Sequence, residues 1–365
     1  MTMQLELTLP VVCGQLLICG FYGTALPASL AKAMGRGERG GAVLFKRNLS
    51  GDLGAVADLN RALRDACPGD LPPLIAVDQE GGRVARLGPP VLAVPPMATL
   101  AKAANLDLVR RVAKAQALEL SALGFTMNFA PVLDVNTCAE NPIIGDRAFG
   151  SDARDVVRYG VAYVRGLQDG DILACGKHFP GHGDTTKDSH KELPVVAHGR
   201  ARLDQCELLP FRAAIGAGLA ALMSAHVEFT AIDKGVPATM SRAICGSLLR
   251  AELGFDGALI SDDLEMKAIA DRYSIEDAAV ESVWAGCDGL LICSDEALQE
   301  RAHAALLRRA ESDARFRDRC VEAAQRMLRI RRLVPPKPAA ASSIATIVGG
   351  AASRAIADEL ARSLA

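Results

Sequence analysis

The sequence has almost no net charge and no long apolar run. Its 41 lysine and arginine residues are balanced by 43 aspartate and glutamate residues, so the formal charge is −2. A field this weak would gather neither nucleic acid nor an anionic membrane surface. No uninterrupted apolar stretch approaches the ~18 residues of a membrane-spanning helix. The segment MTMQLELTLP has no basic leader, so we expect a cytoplasmic protein without nucleic-acid or membrane partners.

The sequence also has no CxxC pair, although it contains ten cysteines. Most of them lie inside apolar runs such as LLICG and LLICS. Cysteines in such runs are typical of reduced core residues, and neither a disulfide framework nor a zinc site is indicated by their spacing. We therefore expect free thiols. For the chain as a whole we expect no metal and no cofactor.

Eight short apolar or β-rich runs recur along the chain, with helical patterns between them. Helix candidates include 106–123, closed by Gly124, and 152–167, for which Ser151 is the expected N-cap. The repeated alternation of strand and helix predicts a parallel sheet, and half of the 365 residues are hydrophobic, enough for a large core. The runs are 15–21, 41–45, 74–77, 125–129, 173–177, 220–224, 257–260 and 289–292.

Polar residues decide between a closed barrel and a doubly wound open sheet, because they follow the strands consistently. A closed barrel brings all these strand ends to one mouth, whereas an open sheet spreads them along an edge. We therefore predict an α/β fold with a single (β/α)₈ TIM-type catalytic barrel over 1–333. The part 334–365 is predicted to be a Pro/Ala-rich linker with a peripheral helix or disordered tail. The residues concerned are Asp78, Glu80, Asp134, Asn136, His178, His226, Asp262 and Asp263.

Asp262 lies in GALISDDLEM, directly after the apolar seventh run. A carboxylate that emerges there at the barrel mouth is placed as a nucleophile would be. The alternative is that one acid of the pair caps a following helix over 264–270, and this role fits Asp263. Both roles are compatible when different members of the pair carry them.

The segment KHFPGHGDTTKDSH, residues 177–190, concentrates three histidines, two aspartates and two lysines in fourteen positions. Asp188 and His190 are two residues apart, so the carboxylate can fix the imidazole tautomer and the pair can exchange a proton near neutral pH. Lys177 and His178 follow the fifth run directly and are candidates for rigidly held donors. Solvated loop polarity and a buried structural histidine are the alternatives for these groups.

The segment VDQEGGRVAR, residues 77–86, places Asp78 at a strand end before two glycines. A carboxylate there can accept hydrogen bonds from neighbouring sugar hydroxyls, and Arg86 can donate to the same ligand. The alternative is an ion pair between Asp78 and Arg86 or Arg83 that stabilises the turn. Arg147 has the same ambiguity, because the adjacent Asp146 can pair with it.

Four motifs in this order resemble glycoside hydrolase family 3, in particular its bacterial β-N-acetylglucosaminidase branch. They are VDQEGGRVAR, NFAPVLDVN with IIGDRAFG, KHFPGHGDTTKDSH and ISDDLEM, and they span about residues 74–266. The resemblance implies the barrel, with Asp262 as nucleophile and His190 as the acid/base assisted by Asp188. It further implies sugar binding by Asp78, Arg86, Arg147, Lys177 and His178.

The same resemblance implies a retaining hydrolase that removes terminal β-linked N-acetylglucosamine from muropeptides during peptidoglycan recycling. One segment, VNTCAENPIIGDRAF, is more similar to larger members of the family that carry an extra domain. The resemblance therefore implies the type of reaction more specifically than the exact substrate. Three alternatives remain: a metal-dependent barrel hydrolase that uses His178, His182, His190 and Asp262; a non-catalytic carbohydrate-binding barrel; and phosphate instead of water as acceptor.

Overall fold

A computed structural model describes residues 7–185 and 193–365. Eight parallel strands close into a barrel in which each strand pairs with its neighbour in the chain and β8 pairs with β1. Each strand falls on one of the eight apolar runs, and the predicted (β/α)₈ barrel is confirmed. The strands are β1 Leu17–Cys19, β2 Gly41–Leu44, β3 Leu74–Val77, β4 Met127–Asn128, β5 Leu173–Phe179, β6 Ala221–Ser224, β7 Ala258–Asp263 and β8 Gly289–Ile292.

The strands are apolar on both faces because both faces are covered. Alternate side chains, such as Ile18, Val43 and Met127, fill the barrel interior. Their strand neighbours, such as Leu17 and Leu44, point outward and pack under the helices. This double burial is typical of parallel sheets and explains why the strand runs are continuous rather than alternating. Only the end of β7, at Asp262 and Asp263, is partly exposed within the strands of the barrel.

The helices surround the barrel, and aspartate, asparagine or serine caps several of them. Ser274 caps α10 by accepting a hydrogen bond from the Asp277 N–H at 3.1 Å. The predicted Ser151 cap is wrong, because Asp152 accepts from the Arg154 N–H at 2.7 Å instead. The helices are α1 Leu9–Gly14, α2 Ala28–Gly35, α3 Leu53–Asp65, α4 Met97–Lys102, α5 Leu106–Ala122, α6 Ala153–Asp169, α7 Arg200–Gln205, α8 Leu208–Gly216, α9 Lys267–Ala270, α10 Ile275–Ala285, α11 Glu296–Ser312, α12 Ala314–Leu333, α13 Ala341–Ile347 and α14 Ala351–Leu364, with a π-helix at Ala243–Glu252.

The chain after residue 333 forms α13 and α14, which pack against the barrel helix α5. Buried Glu119 of α5 accepts the Leu92 N–H at 2.6 Å and the Gly349 N–H at 2.8 Å. A bidentate pair between Arg111 and Glu359 adds a second link between α5 and α14. The boundary between 333 and 334 stays a prediction.

The ten cysteines all lie in the described ranges, and all of them are free thiols. Burial raises the pKa of the Cys19 and Cys67 thiols to about 12, so these groups are protonated and unreactive. This agrees with the expected reduced cysteines. None of the helices within 7–185 and 193–365 is both long and apolar enough to cross a membrane.

The contact between α5 and α6 depends on Gly166, where the two helices approach closely. A Cβ at this position would lie 2.3 Å from the Arg110 carbonyl oxygen and 2.6 Å from Ala113 Cβ. We expect Gly166→Ala to lower the free energy of unfolding by about 1–3 kcal/mol because the helices must separate. Gly216 at the end of α8 has nothing within 4 Å of the same position. Gly216→Ala is the matched control and should raise the free energy by up to about 1 kcal/mol in denaturant titrations. Equal effects of the two substitutions would contradict this account of the contact.

Candidate active site

Side chains from the carboxyl ends of the strands line a cavity of about 320 Å³ at the barrel mouth. Six residues predicted from the sequence lie there: Asp78, Arg86, Arg147, Lys177, His178 and Asp262. The other two, Asp188 and His190, lie outside the described residues. A larger cavity of about 580 Å³ lies outside the barrel between α5 and α14, and none of these strand-end groups lines it. The chemistry therefore points to the mouth cavity.

A buried cluster of alternating charges forms one wall of this cavity. The Lys177 Nζ lies 2.7 Å from Asp78 Oδ1 and 2.6 Å from Glu80 Oε1. Arg147 makes a bidentate pair with Glu80 at 2.9 and 2.7 Å. Arg86 contacts Asp78 at 3.2 Å, so the ion pair proposed for the turn is present as well. Each carboxylate thus has two cationic partners.

The alternative partner predicted for Arg147 is not the one observed. Asp146 lies 3.4 Å from Arg83 and does not pair with Arg147. Glu80 takes that place with only 2% of its surface exposed, although sequence reasoning assigned it no binding role. The available signal was its spacing of two from Asp78, which puts both side chains on the same side of an extended segment.

Hydrogen bonds from β4 hold the backbone of this segment in place. Asn128 accepts from the Gln79 N–H at 3.0 Å and donates to the Gln79 carbonyl at 2.8 Å. Tyr163 of α6 donates to the Glu80 carbonyl at 3.2 Å. The carboxylates of the cluster therefore project from a rigid backbone rather than from a free loop.

The charged state of the cluster follows from its pairing. Burial raises the pKa of Asp78 and of Glu80, but the cations beside them outweigh burial and hold both pKa values below the usual range. Burial lowers the pKa of Lys177, yet the two carboxylates raise it above its usual value overall. All three groups are therefore ionised at neutral pH, ready to donate to and accept from a polar ligand.

Buried Asp134, which follows β4, holds the ring of His178 and the backbone of His182. Its Oδ2 lies 2.7 Å from His178 Nδ1, and its Oδ1 accepts the His182 backbone N–H at 2.6 Å. Burial raises the pKa of Asp134, but His178 and His182 outweigh burial and lower the pKa below its usual range, so the carboxylate is ionised. Because Nδ1 of His178 is engaged, Nε2 is the ring nitrogen left for a ligand. Asp134 was recognised in the sequence as a strand-end acid but not as the residue that orients His178.

Asp262, at the end of β7, is an ionised carboxylate at the opposite side of the barrel from β3. Its Oδ1 accepts the Asp263 N–H at 2.8 Å. Burial raises its pKa, but His226, His178, the Asp263 N–H and Lys177 together hold the pKa below the usual range. His226 is itself fixed, since its Nε2 donates to the Asp263 carbonyl at 3.0 Å. A charged, oriented carboxylate of this kind can act as a nucleophile.

Asp263 differs from its neighbour although both line the cavity. Its Oδ1 accepts the Glu265 N–H at 3.1 Å and the Cys293 N–H at 3.3 Å. The alternative in which Asp263 caps a helix over 264–270 is wrong, because α9 begins only at Lys267 and Asp263 instead holds the preceding turn. Burial and the charges of Glu265 and Asp262 raise the pKa of Asp263 to about 7, despite the lowering by the Glu265 N–H. Near neutral pH, Asp262 is therefore the more strongly charged member of the pair.

The metal-site alternative finds no support in the described ranges. Within 7–185 and 193–365, no group of three or more histidine, cysteine, aspartate or glutamate residues is arranged to hold a metal ion. His190, one of the four ligands considered, lies outside these ranges. The histidines at the mouth that are described bond to protein groups, as His178 does to Asp134 and His182 does to Thr185 at 2.8 Å.

Comparison with known proteins agrees with this architecture. The profile of the "Glycosyl hydrolase family 3 N terminal domain" matches residues 8–330. The chain belongs to glycosyl hydrolase family 3. It is therefore a glycoside hydrolase, and the resemblance of its four motifs to this family is confirmed.

Relatives in the family are similar over most of this chain. It is 40% identical over 286 residues to a beta-hexosaminidase from Alkalilimnicola ehrlichii, a match that covers 76% of this chain and 80% of that protein. It is 38% identical over 290 residues to beta-hexosaminidase A from Pseudoalteromonas piscicida, covering 74% of this chain but only 48% of the relative. The chain thus spans about half the length of that larger protein.

A solved structure shows the same likeness in three dimensions. The family 3 beta-N-acetylglucosaminidase from Paenibacillus sp. superposes with a TM-score of 0.91 at 39% sequence identity. The match covers 98% of this chain and 69% of that one. It therefore includes the part that follows residue 333.

The raised pKa of Asp263 predicts a pH-dependent effect on stability. An unfolded aspartate titrates near ~3.9, so the folded protein holds this proton more tightly. Asp263 therefore lowers the free energy of unfolding by a growing amount as the pH rises from ~4 to about 7. We expect Asp263→Asn, which keeps the Oδ1 acceptor, to gain on the order of 1–2 kcal/mol of stability relative to wild type between pH 5 and pH 8.

Thermal or denaturant unfolding at the two pH values measures this gain. Asp313, the N-cap of α12, supplies a control of opposite sign, because backbone N–H groups and Arg309 lower its pKa. Its favourable contribution is present above the unfolded pKa and is lost as the pH falls, so Asp313→Asn should not gain stability toward pH 8. If Asp263→Asn changes the stability by the same amount at both pH values, Asp263 does not hold its proton more tightly in the folded protein.

Proposed function

We propose that this glycoside hydrolase is a retaining exo-β-N-acetylglucosaminidase that removes terminal β-linked N-acetylglucosamine. The observation that carries the proposal is the ionised Asp262 carboxylate facing the same cavity as the charged cluster of Asp78 and Lys177. Beta-hexosaminidase and beta-N-acetylglucosaminidase are the names of the relatives reported above, which supports the choice of sugar.

The charged cluster suits the hydroxyl groups of one hexosamine. The Asp78 carboxylate accepts from sugar hydroxyls, and Arg86, Arg147, Lys177 and His178 donate to sugar oxygens. Since the cluster is paired and ionised before any ligand arrives, little reorganisation is needed on binding. A cavity near the lower end of the usual range for small ligands also favours a single terminal sugar over an internal unit of a long chain.

The first step of the proposed reaction forms a covalent glycosyl-enzyme. An Asp262 oxygen attacks the anomeric carbon as the glycosidic C–O bond breaks, and His190 gives its proton to the leaving oxygen. The positive charge that develops on the sugar ring is stabilised by the Asp262 carboxylate. Asp188 orients the His190 ring and stabilises its protonated form, in the roles that the sequence motif implies.

The second step releases the sugar. His190 removes a proton from water, the water oxygen attacks the anomeric carbon, and the bond to Asp262 breaks. Two inversions at one carbon give net retention. Most retaining glycosidases use a second carboxyl group as acid/base, and the use of a histidine is a departure from this pattern. An unperturbed imidazole titrates near ~6.5, which suits proton transfer in both directions.

The cellular role we propose is recycling of muropeptides in the cytoplasm. The barrel over 1–333 would carry the reaction, with 334–365 as a peripheral extension. Of the alternatives, a binding protein without turnover would have no need of the additional ionised carboxylate of Asp262 in the cavity that holds the charged cluster. Phosphate instead of water as acceptor remains a measurable outcome, since added phosphate would then raise the rate and yield a sugar phosphate.

The assigned nucleophile predicts the effect of two adjacent substitutions. Asp262→Ala should lower kcat on a nitrophenyl β-N-acetylglucosaminide at least about 10³-fold, because no covalent intermediate can form. Asp263→Asn is the neighbouring control and should keep kcat within about tenfold of wild type. Ordinary turnover by Asp262→Ala would refute the assignment.

Proton NMR of the product first formed from wild type should show the β anomer, and an α anomer would rule out retention.

The assigned acid/base predicts a dependence on the leaving group. His190→Ala should slow hydrolysis of disaccharides far more than hydrolysis of nitrophenyl glycosides, by about 10²-fold or more, since only the poor leaving group needs a proton. Initial rates on the two substrates measure the difference. His198→Ala is the control, because His198 is paired with Asp184 and does not line the mouth cavity. Equal losses on both substrates in His190→Ala would contradict the acid role.

A further inference from the structure

We propose that buried Thr239 is a positioning residue of the active site, which holds His226 against the end of β7 and so fixes the surroundings of Asp262. The inference rests on the proposed function, because it concerns the group assigned as the nucleophile. Thr239 is fully buried and does not line the mouth cavity. It can therefore affect the reaction only through the residues that it contacts.

His226, which follows β6, uses both ring nitrogens in contacts with the protein. Its Nε2 donates to the Asp263 carbonyl at 3.0 Å, and its Nδ1 lies 2.8 Å from Thr239 Oγ1. Because a carbonyl oxygen can only accept, Nε2 carries a proton in both the neutral and the charged form of the ring. The charge of His226 therefore changes at Nδ1, the nitrogen that faces Thr239.

The Thr239 hydroxyl can satisfy Nδ1 in either charge state of the ring. When the ring is neutral, the hydroxyl donates to Nδ1 and accepts from the Ser224 hydroxyl, whose Oγ lies 2.9 Å away. When the ring is charged, Nδ1 donates to Thr239 Oγ1, and the hydroxyl proton turns to the Ala225 carbonyl at 3.1 Å. His226 thus keeps one position whether or not it is charged. An alkyl side chain in place of Thr239 would leave a buried ring nitrogen unpaired in both forms.

Thr239 is itself held in place by the chain around it. It lies in a short 3₁₀ helix, Ala238–Met240. The Ala238 N–H donates to the Val227 carbonyl at 2.8 Å, and the Cys287 Sγ donates to the Thr239 carbonyl at 3.5 Å. The short helix is therefore tied both to the segment that follows β6 and to the segment that precedes β8. A side chain on such a backbone can hold its partner precisely.

The position of His226 affects Asp262 in two ways. Burial raises the pKa of Asp262, and His226 has the largest effect among the groups that lower it. His226 also holds the Asp263 carbonyl, while the N–H of the same residue donates to Asp262 Oδ1 at 2.8 Å. A displaced ring would weaken the stabilisation of the carboxylate charge and loosen the backbone that orients it. Thr239 is thus linked to the Asp262 carboxylate through His226 and Asp263.

The test removes the Thr239 hydroxyl and keeps the shape of the side chain. Thr239→Val should lower kcat/KM on a nitrophenyl β-N-acetylglucosaminide by about 10- to 100-fold, the range for one lost buried hydrogen bond to a charged group. Thr239→Ser restores a hydroxyl and should recover most of this loss. The inhibition constant of free N-acetylglucosamine should stay within about threefold of wild type in both variants, because Thr239 does not line the cavity proposed to bind the sugar.

Thr126→Val is the matched control. Thr126 is also a fully buried threonine with a paired hydroxyl, which accepts the Ile75 N–H at 2.9 Å. It lies directly before β4, at the end of the barrel away from the mouth. We expect this variant to lower the free energy of unfolding but to change kcat/KM by no more than about twofold. The loss of a buried threonine hydroxyl is thereby separated from the loss of the contact with His226.

A spectroscopic measurement reports on the ring of His226 directly. The chain has six histidines, so selective ¹⁵N labelling of histidine gives few imidazole signals, and His226→Asn identifies the signal of His226. Thr239→Val should shift the Nδ1 resonance of His226, because the hydrogen bond to this nitrogen is lost. Thr239→Ser and Thr126→Val should leave the resonance near its wild-type position. A shift that follows the hydroxyl, and not the stability of the variant, distinguishes positioning from packing.

If Thr239→Val does not fold, Thr239→Cys takes its place, because a thiol forms only weak hydrogen bonds. Wild-type kcat/KM in the variant without the hydroxyl, an unshifted Nδ1 resonance, or an equal loss in Thr239→Ser or Thr126→Val would overturn the positioning role. Failure of wild type itself to hydrolyse the nitrophenyl substrate would instead overturn the proposed function, so the two failures are distinguishable.

Discussion

The ion pairs of Lys177 with Asp78 and Glu80 are the interaction on which the mouth of the barrel depends. They join the segment after β3 to β5, past the intervening strand β4, with Lys177 only 3% exposed. A buried ammonium without partners would lose its proton, and two adjacent buried carboxylates without a cation would keep one proton between them. Together, and with Arg147 on Glu80, they remain ionised. The wall of the cavity can be both buried and ionised because each of these charges is paired with a charge of opposite sign.

The same reasoning explains how two neighbouring aspartates acquire different properties. Asp262 is surrounded by His226, His178 and Lys177, and these groups outweigh the effect of burial on its pKa. Asp263 meets Glu265 and Asp262 instead, and its pKa rises to about 7. One strand end therefore offers a charged carboxylate and a carboxyl group that holds a proton near neutrality. Placement beside the histidines, rather than residue type, distinguishes the proposed nucleophile Asp262 from Asp263.

Much of the fold was predictable because the parallel barrel leaves a strong local signal. Each strand is buried on both faces, so each appears as a short apolar run, and polar residues mark the ends that meet at the mouth. Local boundaries were predicted less well. The sequence predicted Ser151 as the cap of α6, but the cap is Asp152, because its carboxylate accepts the Arg154 N–H. Capping of a helix by Asp263, one of the alternatives that the sequence allows, is not observed, because the chain makes a turn before α9 begins at Lys267.

Local patterns, namely the strand runs and the strand-end motifs, were enough to predict the barrel, the family and six of the residues that line the cavity. The partners of these residues follow only from the folded chain. Arg147 bonds Glu80 across 67 positions, and His178 bonds Asp134 across 44. Such pairings depend on the closure and register of eight strands, which bring together residues whose local sequences carry no trace of one another.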